Sequence, residues 1–280
     1  MNRIQLINEA NKIKNIVNSG LLNINGESID ISTALGMWNS KEYRANNINN
    51  IDILKYKKSE MPCKFLVLPD GADTIAFNNK YKLDNKRFIQ RGICILNFAS
   101  SKNPGGGFEN GAMAQEEALC QASNLYSILS KHREFYEYNR KNLNKGLYSD
   151  GIIFTRNVLF FRNKYKNVEP QLADVITCPA PNFKAARRNG VSETEIENTM
   201  YRRIEQIIKV AIANDVRVLV LGAFGCGVFG NNPNKVANIM AKILTTKGYS
   251  EYFDEIIFAM NGTTGENVSA FTKVFKKLVK

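Results

Sequence analysis

The sequence has little of the chemistry that hydrolases and metalloproteins often use. It contains one histidine, His132, and five scattered cysteines that form no C-x-x-C pair. A disulfide framework and a zinc site are therefore not expected. A Ser-His-Asp or Cys-His mechanism would have to run through His132. That residue stands between Lys131 and Arg133 at an expected helix end, where a surface histidine is the simpler interpretation.

Long apolar runs are also missing. No stretch approaches the roughly 18–20 consecutive apolar residues that span a bilayer. The first residues, Met1-Asn2-Arg3-Ile4-Gln5, lack the apolar region of a signal peptide. The sequence therefore predicts a soluble protein of the cytoplasm. With 280 residues, 44% of them hydrophobic, the chain is long enough for one large domain and a helical extension.

The charge is strongly positive, at +12. Such an excess favours polyanionic partners, which include nucleic acid and phosphorylated ligands. Lysine, asparagine and isoleucine are abundant throughout the chain, however, and no dense basic run occurs. The charge therefore leaves nucleic acid as one open partner and does not select it.

The chain divides into two parts by its hydrophobic pattern. Residues 1–60 carry a helical stripe and no strand-like run, which predicts an N-terminal helical extension. From residue 61 to 280, apolar runs alternate with helical stretches, which predicts a three-layer α/β domain with a sheet covered on both faces. The strand-like runs begin at Phe65, Ile93, Ile152, Val158, Asp174, Val216 and Ile256, and the helical stretches are 112–130, 192–214, 233–247 and 267–279.

Ligands of such folds bind at loops that follow the carboxyl ends of strands. The loop after Phe98 carries three glycines, Gly105, Gly106 and Gly107, and the loop after Leu221 carries Gly225, Gly227 and Gly230. Two glycine-rich loops on one sheet favour a clamp for a diphosphate. The second loop has G-x-G-x-x-G spacing, but the next strand ends without the acidic residue of a dinucleotide fold. Neither loop matches the phosphate loop of P-loop nucleotidases.

Two adjacent carboxylates, Glu116 and Glu117, open the helix after the first loop. Adjacent side chains point about 100° apart on a helix, so both reach one ligand only if it lies across the helix start. The alternative is that they are ordinary first-turn carboxylates that favour the helix dipole. A helix start lowers the pKa of a carboxyl, whereas a second carboxylate or a bound diphosphate raises it. We therefore expect a general acid that is poised when substrate is bound.

Two further side chains have open interpretations. Phe229 is either a core residue or an aromatic wall that orients a ribose or stacks on a base. Asp73 is either a helix N-cap or a ligand of an adenine amino group.

Together these residues resemble a known family. Phe98-Ala99-Ser100, Asn103-Pro104-Gly105-Gly106-Gly107, seven further residues and Gln115-Glu116-Glu117 are similar to the G-G-G-x(6–8)-Q-E-E signature of bacterial-type poly(ADP-ribose) glycohydrolases, which are macrodomain proteins. The loop Gly225–Phe229, the stretch Cys178–Asn182 and the pair Asp73-Thr74 also resemble family features. The likeness covers roughly residues 60–280. It implies a three-layer α/β/α macrodomain with a mixed central sheet over residues 61–280, preceded by the helical extension 1–60.

The resemblance also implies residue roles. Glu117 would be the general acid that protonates the leaving 2′-oxygen, and Glu116 would hold ribose hydroxyls on either side of the scissile bond. Asn103 would hydrogen-bond the terminal ribose. No metal or cofactor is required. The other implied substrate-binding residues are Gly105, Gly106, Gly107, Gln115, Asp73 and the diphosphate loop formed by Gly225, Cys226, Gly227, Val228 and Phe229.

The leading function is therefore hydrolysis of poly(ADP-ribose), with ADP-ribose as the product. Three alternatives remain open at this point. They are a hydrolase for mono-ADP-ribose on nucleic acid or protein, a macrodomain that binds ADP-ribose without catalysis, and a nucleic-acid-binding module. The intact Glu116-Glu117 pair disfavours a pure binding module, because binding needs no acid.

Overall fold

A seven-stranded mixed sheet forms the centre of the structure, a computed structural model that describes residues 1–76 and 93–276. The strand order is β3-β6-β7-β5-β8-β9-β4, and a separate hairpin contains β1 and β2. The strands are β1 (Leu21–Ile24), β2 (Glu27–Asp30), β3 (Asn39–Tyr43), β4 (Lys64–Leu68), β5 (Ile93–Phe98), β6 (Ile152–Asn163), β7 (Lys166–Cys178), β8 (Val218–Leu221) and β9 (Glu255–Ala259).

The strands from β7 to β4 in this order are parallel to their neighbours, whereas β6 and β3 pair antiparallel. Alternate residues of the central strands face opposite layers. In β5, Cys94 and Leu96 join one core cluster and Ile93 and Ile95 join the other. This two-sided burial explains why the central strands have continuous apolar sequences. Because five strands are parallel, their carboxyl ends lie at one edge of the sheet.

Helices cover both faces, which confirms the predicted three-layer fold. Helices α9, α10 and α11 pack on one face, and α1, α5, α6 and α7 pack on the other. Within the described residues, no helix has the length and apolar character that a membrane crossing requires. The helices are α1 (Arg3–Ser19), α2 (Ser32–Leu35), α3 (Ala45–Asn49), α4 (Ala72–Ile75), α5 (Gln115–Ala122), α6 (Leu125–Leu129), α7 (Arg133–Lys141), α8 (Phe183–Arg188), α9 (Glu193–Ala213), α10 (Pro233–Ala241) and α11 (Glu266–Phe275).

The predicted helix in residues 1–60 is present as α1, but the expectation of no strands in this segment is wrong. Strands β1 and β2 form a hairpin around Asn25-Gly26, with φ of 52° and 91°, the pair that favours a tight hairpin turn. Strand β3 is an edge strand in which only Tyr43 is buried, so its sequence has no apolar run. Because β3 pairs with β6, the sheet extends across the predicted boundary at residue 60.

Three other predicted boundaries also shift. The runs 152–154 and 158–161 belong to the single strand β6, which bulges between Thr155 and Val158. The helical stretch 112–130 divides into α5 and α6 at Ser123 and Asn124, where the Asn124 Oδ1 accepts a hydrogen bond from the backbone of β6. The helical stretch 267–279 begins one residue earlier, and its positions 277–279 lie outside the described residues.

Candidate active site

A cavity of about 930 Å³ opens at the edge where the parallel strands end. Its lining includes residues of the segments that follow four of those strands, namely 71–72 after β4, 98–107 after β5, 221–229 after β8 and 259–268 after β9. Ala180, after β7, Tyr148 and the start of α5 also line it. The predicted glycine-rich loops therefore meet at one cavity.

The start of α5 is fixed to the end of β5 by Gln115. Its side-chain Oε1 accepts a hydrogen bond from the Phe98 N–H at 2.8 Å, and its Nε2 donates to the Leu96 carbonyl at 2.8 Å. Gln115 lines the cavity, but both polar ends of its side chain are used by the strand. These contacts favour a positioning role, and its substrate-binding role stays a prediction.

Glu117 lies under the glycine triplet, with 7% of its surface exposed. Its Oε1 accepts from the Gly107 N–H at 2.8 Å, and its Oε2 accepts from the Ala114 N–H at 2.9 Å. Gly106 has φ of 62°, and a side-chain carbon on it would overlap Oε1 of Glu117. Glycine is therefore required here both for its backbone conformation and for the close approach to the carboxylate.

Glu116 is more deeply buried, with 3% of its surface exposed. Its Oε2 accepts from the Ser100 N–H at 2.7 Å, and its Oε1 accepts from Asn97 Nδ2 at 3.2 Å. Burial raises the pKa of Glu116 to about 8; the charge of Glu117 adds to this rise, and the bonds from Ser100 and Asn97 oppose it. Burial therefore favours the protonated form of Glu116 in the free protein, whereas the sequence led us to expect the acid at Glu117.

Asn97 supports Glu116 from behind the cavity lining, and the sequence reasoning missed it. It is fully buried on β5, and its Nδ2 also lies 3.3 Å from Thr177 Oγ1 on the neighbouring strand β7. Among the described residues, its Oδ1 has no hydrogen-bond partner. The available signal was an amide in an otherwise apolar strand, because a buried polar side chain requires hydrogen-bond partners.

The loop from Gly225 to Gly230 forms the opposite wall. Gly225 and Gly230 both have φ of 74°, and buried Asn231 holds the loop through Nδ2 bonds to the carbonyls of Pro181 at 2.8 Å and Gly225 at 2.9 Å. Gly227, Val228 and Phe229 line the cavity. Within the described part of the chain, the N–H groups of these three residues have no hydrogen-bond partner. Successive free N–H groups of this kind suit an anion.

An aromatic pair lies at one end of the cavity. The rings of Phe229 and Tyr148 have centroids 6.0 Å apart, and Tyr148 has φ of 62°, a left-handed conformation that costs free energy for a non-glycine residue. Tyr148 was not predicted, because no local pattern marks it.

The segment that carries Tyr148 is held by Arg203, a fully buried side chain on α9. Its guanidinium donates to the carbonyls of Leu147 and Pro179 and pairs with Asp150 at 2.8 Å. Arg203 therefore ties the Tyr148 segment to the loop after β7.

The remaining predicted residues fall into two groups. Asn103, Cys226 and Val228 line the cavity, and Val228 is 79% exposed. Gly105 does not line it, because the residue is buried against Tyr126, and Asp73 lies in α4 directly after the lining residues Gly71 and Ala72.

His132 lies away from the cavity and pairs with Glu42 through Nδ1 at 2.8 Å. In the described ranges, no three His, Cys, Asp or Glu side chains group as metal ligands.

A family model described as the catalytic domain of microbial-type PARG matches residues 10–163, more than half of the chain. The chain belongs to this family. The matched range includes the glycine triplet and the Glu116-Glu117 pair. PARG stands for poly(ADP-ribose) glycohydrolase, an enzyme that hydrolyses glycosidic bonds.

Solved PARG structures from two bacteria are similar over most of the chain. The enzyme from Thermomonospora curvata bound to the inhibitor ADP-HPD has a TM-score of 0.84 and 28% identity, with 97% of this chain and 99% of that chain covered. Another structure of the T. curvata enzyme has a TM-score of 0.85 and 29% identity, with 98% of this chain and 100% of that chain covered. The enzyme from Deinococcus radiodurans in complex with ADP-ribose has a TM-score of 0.74 and 29% identity, with 85% of this chain and 95% of that chain covered. A comparison with curated proteins gives no significant match.

Proposed function

We propose that this PARG family member hydrolyses the ribose–ribose O-glycosidic bonds of poly(ADP-ribose) and releases ADP-ribose. The observation that carries the proposal is the pair Glu116 and Glu117, held by main-chain N–H groups beneath Gly106 in a cavity built from two glycine-rich loops. A reader of ADP-ribose needs the cavity alone, whereas cleavage of a glycosidic bond needs a carboxylic acid beside it.

The shape of the cavity suggests how the terminal ADP-ribose lies. The adenosine occupies the end near Gly71 and Asn261, where β4 and β9 finish. The diphosphate lies on the free N–H groups of Gly227, Val228 and Phe229. The terminal ribose then rests between the Phe229 ring, Asn103 and the two carboxyl groups.

The reaction uses Glu117 as acid and then as base. In the substrate complex the catalytic proton is on Glu117. It moves to the 2′-oxygen of the leaving unit as the bond from that oxygen to C1″ breaks, and the electron pair of the bond stays on the oxygen. The ribose becomes an oxocarbenium-like centre at C1″. Water attacks C1″ and gives its proton to the Glu117 carboxylate, which restores the acid. Glu116, whose pKa is raised by burial, hydrogen-bonds the ribose hydroxyls.

The test compares wild type with Glu117→Gln on purified poly(ADP-ribose), with chromatography of free ADP-ribose. We expect release by wild type, a loss of about 100-fold or more in the variant, and a similar Kd for ADP-ribose in both. Glu195→Gln is the matched control, because Glu195 is also the third residue of a helix and lies outside the cavity.

Three outcomes would change the proposal. Turnover retained in Glu117→Gln would remove Glu117 as the acid. Release from mono-ADP-ribosylated protein or DNA, with none from the polymer, would move the substrate to that class. Binding of ADP-ribose without release from any of these substrates would indicate a protein that binds ADP-ribose without catalysis.

A further inference from the structure

Five exposed cationic side chains surround the end of the cavity at which Tyr148 and Phe229 meet. We call this group the cationic rim. Its members are Lys102, Arg140, Lys145, Lys184 and Arg188.

Backbone contacts bring the members of the rim together. Lys102 lines the cavity, and the Arg140 guanidinium donates to the Lys102 carbonyl at 2.7 Å. The Lys184 N–H donates to the Phe229 carbonyl at 3.2 Å, and Arg188 Nε donates to the Lys184 carbonyl at 3.3 Å. Lys145 is adjacent to Gly146, whose carbonyl accepts from the Asn182 N–H at 2.8 Å. Asn139, next to Arg140, accepts a hydrogen bond from the Ser149 hydroxyl, next to Tyr148. The segments that carry the rim therefore meet at the Tyr148–Phe229 pair.

The positive charge of the rim is not neutralised by ion pairs, because most nearby carboxylates pair with other residues. Asp150 pairs with Arg202 and Arg203, and Glu193 pairs with Lys235. Glu137 is an exposed carboxylate on the helix that carries Arg140. In the part of the chain that the structure describes, no carboxylate lies within ion-pair distance of the five rim side chains.

The order of the strands places the rim on the leaving side of the reaction. The cavity runs from the ends of β4 and β9, past β8 and β5, to Ala180 after β7 and to Tyr148. Glu116 and Glu117 lie at the end of β5, so a terminal ADP-ribose extends from them toward β4 and β9. The rest of the substrate must leave by the opposite end, past the rim.

We propose that the cationic rim binds the diphosphate of the unit next to the terminal ADP-ribose. The leaving oxygen is the 2′-hydroxyl of an adenosine, and in the polymer that adenosine carries a diphosphate at its 5′ position. Exposed cations attract such a group at long range and release it easily, since each pair contributes little free energy. The enzyme therefore selects a phosphorylated leaving unit over a neutral one. This inference rests on the proposed function.

The test uses two substrates that share one scissile bond. The first is a two-unit ADP-ribose oligomer. The second is the same compound with the 5′-diphosphate of the leaving adenosine and everything beyond it removed. For wild type we expect KM to be about tenfold lower for the first compound. The difference should shrink as salt is added, because salt screens exposed charges.

The triple variant Lys145→Gln, Lys184→Gln, Arg188→Gln should raise KM for the two-unit oligomer about tenfold and leave kcat within about twofold. KM for the shortened compound should change by less than about twofold. The control Lys55→Gln, Lys64→Gln, Lys273→Gln removes the same charge from exposed positions outside the cavity lining and should keep the wild-type difference.

Other results would overturn the inference. One is an equal KM for both substrates in wild type, and another is an equal rise for both in the rim variant. Strong competition by plain single-stranded DNA that the rim variant loses would assign the rim to nucleic acid. Failure of the proposed function is distinguishable: if wild type cleaves neither compound, calorimetric Kd values for the two still test the rim.

Discussion

Gly106 faces Glu117 so closely that a side-chain carbon at position 106 would overlap Oε1 of that carboxylate and stand 3.0 Å from Oε2 of Glu116. The glycine triplet therefore does more than bend the chain. Its bare backbone packs directly against both carboxyl groups at the start of the helix.

We expect Gly106→Val to abolish ADP-ribose binding, because the new side chain displaces both carboxyl groups, which the proposed function places against the ribose. Calorimetry with ADP-ribose measures this directly, and circular dichroism checks that the variant is folded. Gly36→Val is the control, since Gly36 is exposed, has φ of −86° and has no atom nearer than 3.5 Å to the position of a side-chain carbon. Unaltered affinity in Gly106→Val would show that the triplet is not the binding loop.

Asn97→Leu should lower kcat by about tenfold or more while the Kd of ADP-ribose changes little, because the substitution removes the side-chain donor that orients Glu116. Thr177→Val is the matched control, since it removes the other partner of Asn97 and leaves the bond to Glu116. Single-turnover kinetics with the polymer separate the two variants. If Thr177→Val loses as much as Asn97→Leu, the contact with Glu116 is not what matters.

Glu116 predicts a stability that depends on pH. Because burial raises its folded-state pKa from 4.5 to about 8, the folded protein binds more protons at this position than the unfolded chain between these values. Its contribution is most favourable below about pH 4.5 and is lost as the pH rises toward 8. Glu116→Gln removes this loss.

Urea unfolding of wild type and Glu116→Gln across pH 5 to 8 measures the effect. The free energy of unfolding of the variant should rise relative to wild type by an amount on the order of 1 kcal/mol per pH unit, and by less near the ends of the range. A difference that is constant with pH would mean that Glu116 titrates near its ordinary value.

Tyr148→Gly should weaken binding without unfolding the protein. Glycine accepts φ of 62° without strain, which offsets the lost contact with Phe229, so the free energy of unfolding should stay within about 1 kcal/mol. KM for the polymer should rise about tenfold if the ring contributes an ordinary aromatic contact to the terminal ribose. Tyr165→Gly is the control, because Tyr165 has φ of 67° but lies outside the cavity lining. Equal KM values in both variants would remove Tyr148 from the site.

The sequence predicted the central strands well because the apolar pattern that identifies them lies within each strand. Strands β5, β8 and β9 are buried on both faces, so each has a continuous apolar run that identifies it without knowledge of its neighbours. Strand β3 could not be found in this way. Its residues are polar because it lies at the edge, and its place in the sheet depends on pairing with β6, more than 100 residues later.

The site residues likewise divide into those that a local pattern indicates and those that only the fold brings together. The glycine triplet and the carboxylates are close in sequence, so their spacing alone indicated a shared site. Asn97 contacts Glu116 from a different element, and Tyr148 meets Phe229 only after the chain has crossed β6, β7 and β8. Such contacts are fixed by topology. The raised pKa of Glu116 likewise depends on burial by distant segments.

The hydrogen bonds at the start of α5 bear on how this candidate active site tolerates mutation. Gln115, Glu116 and Glu117 are held by the N–H groups of Phe98, Ser100, Gly107 and Ala114. Every amino acid except proline supplies such a group. The side chains at positions 100 and 114 are therefore free to diverge without loss of these bonds, and proline is the substitution that natural variation must avoid there.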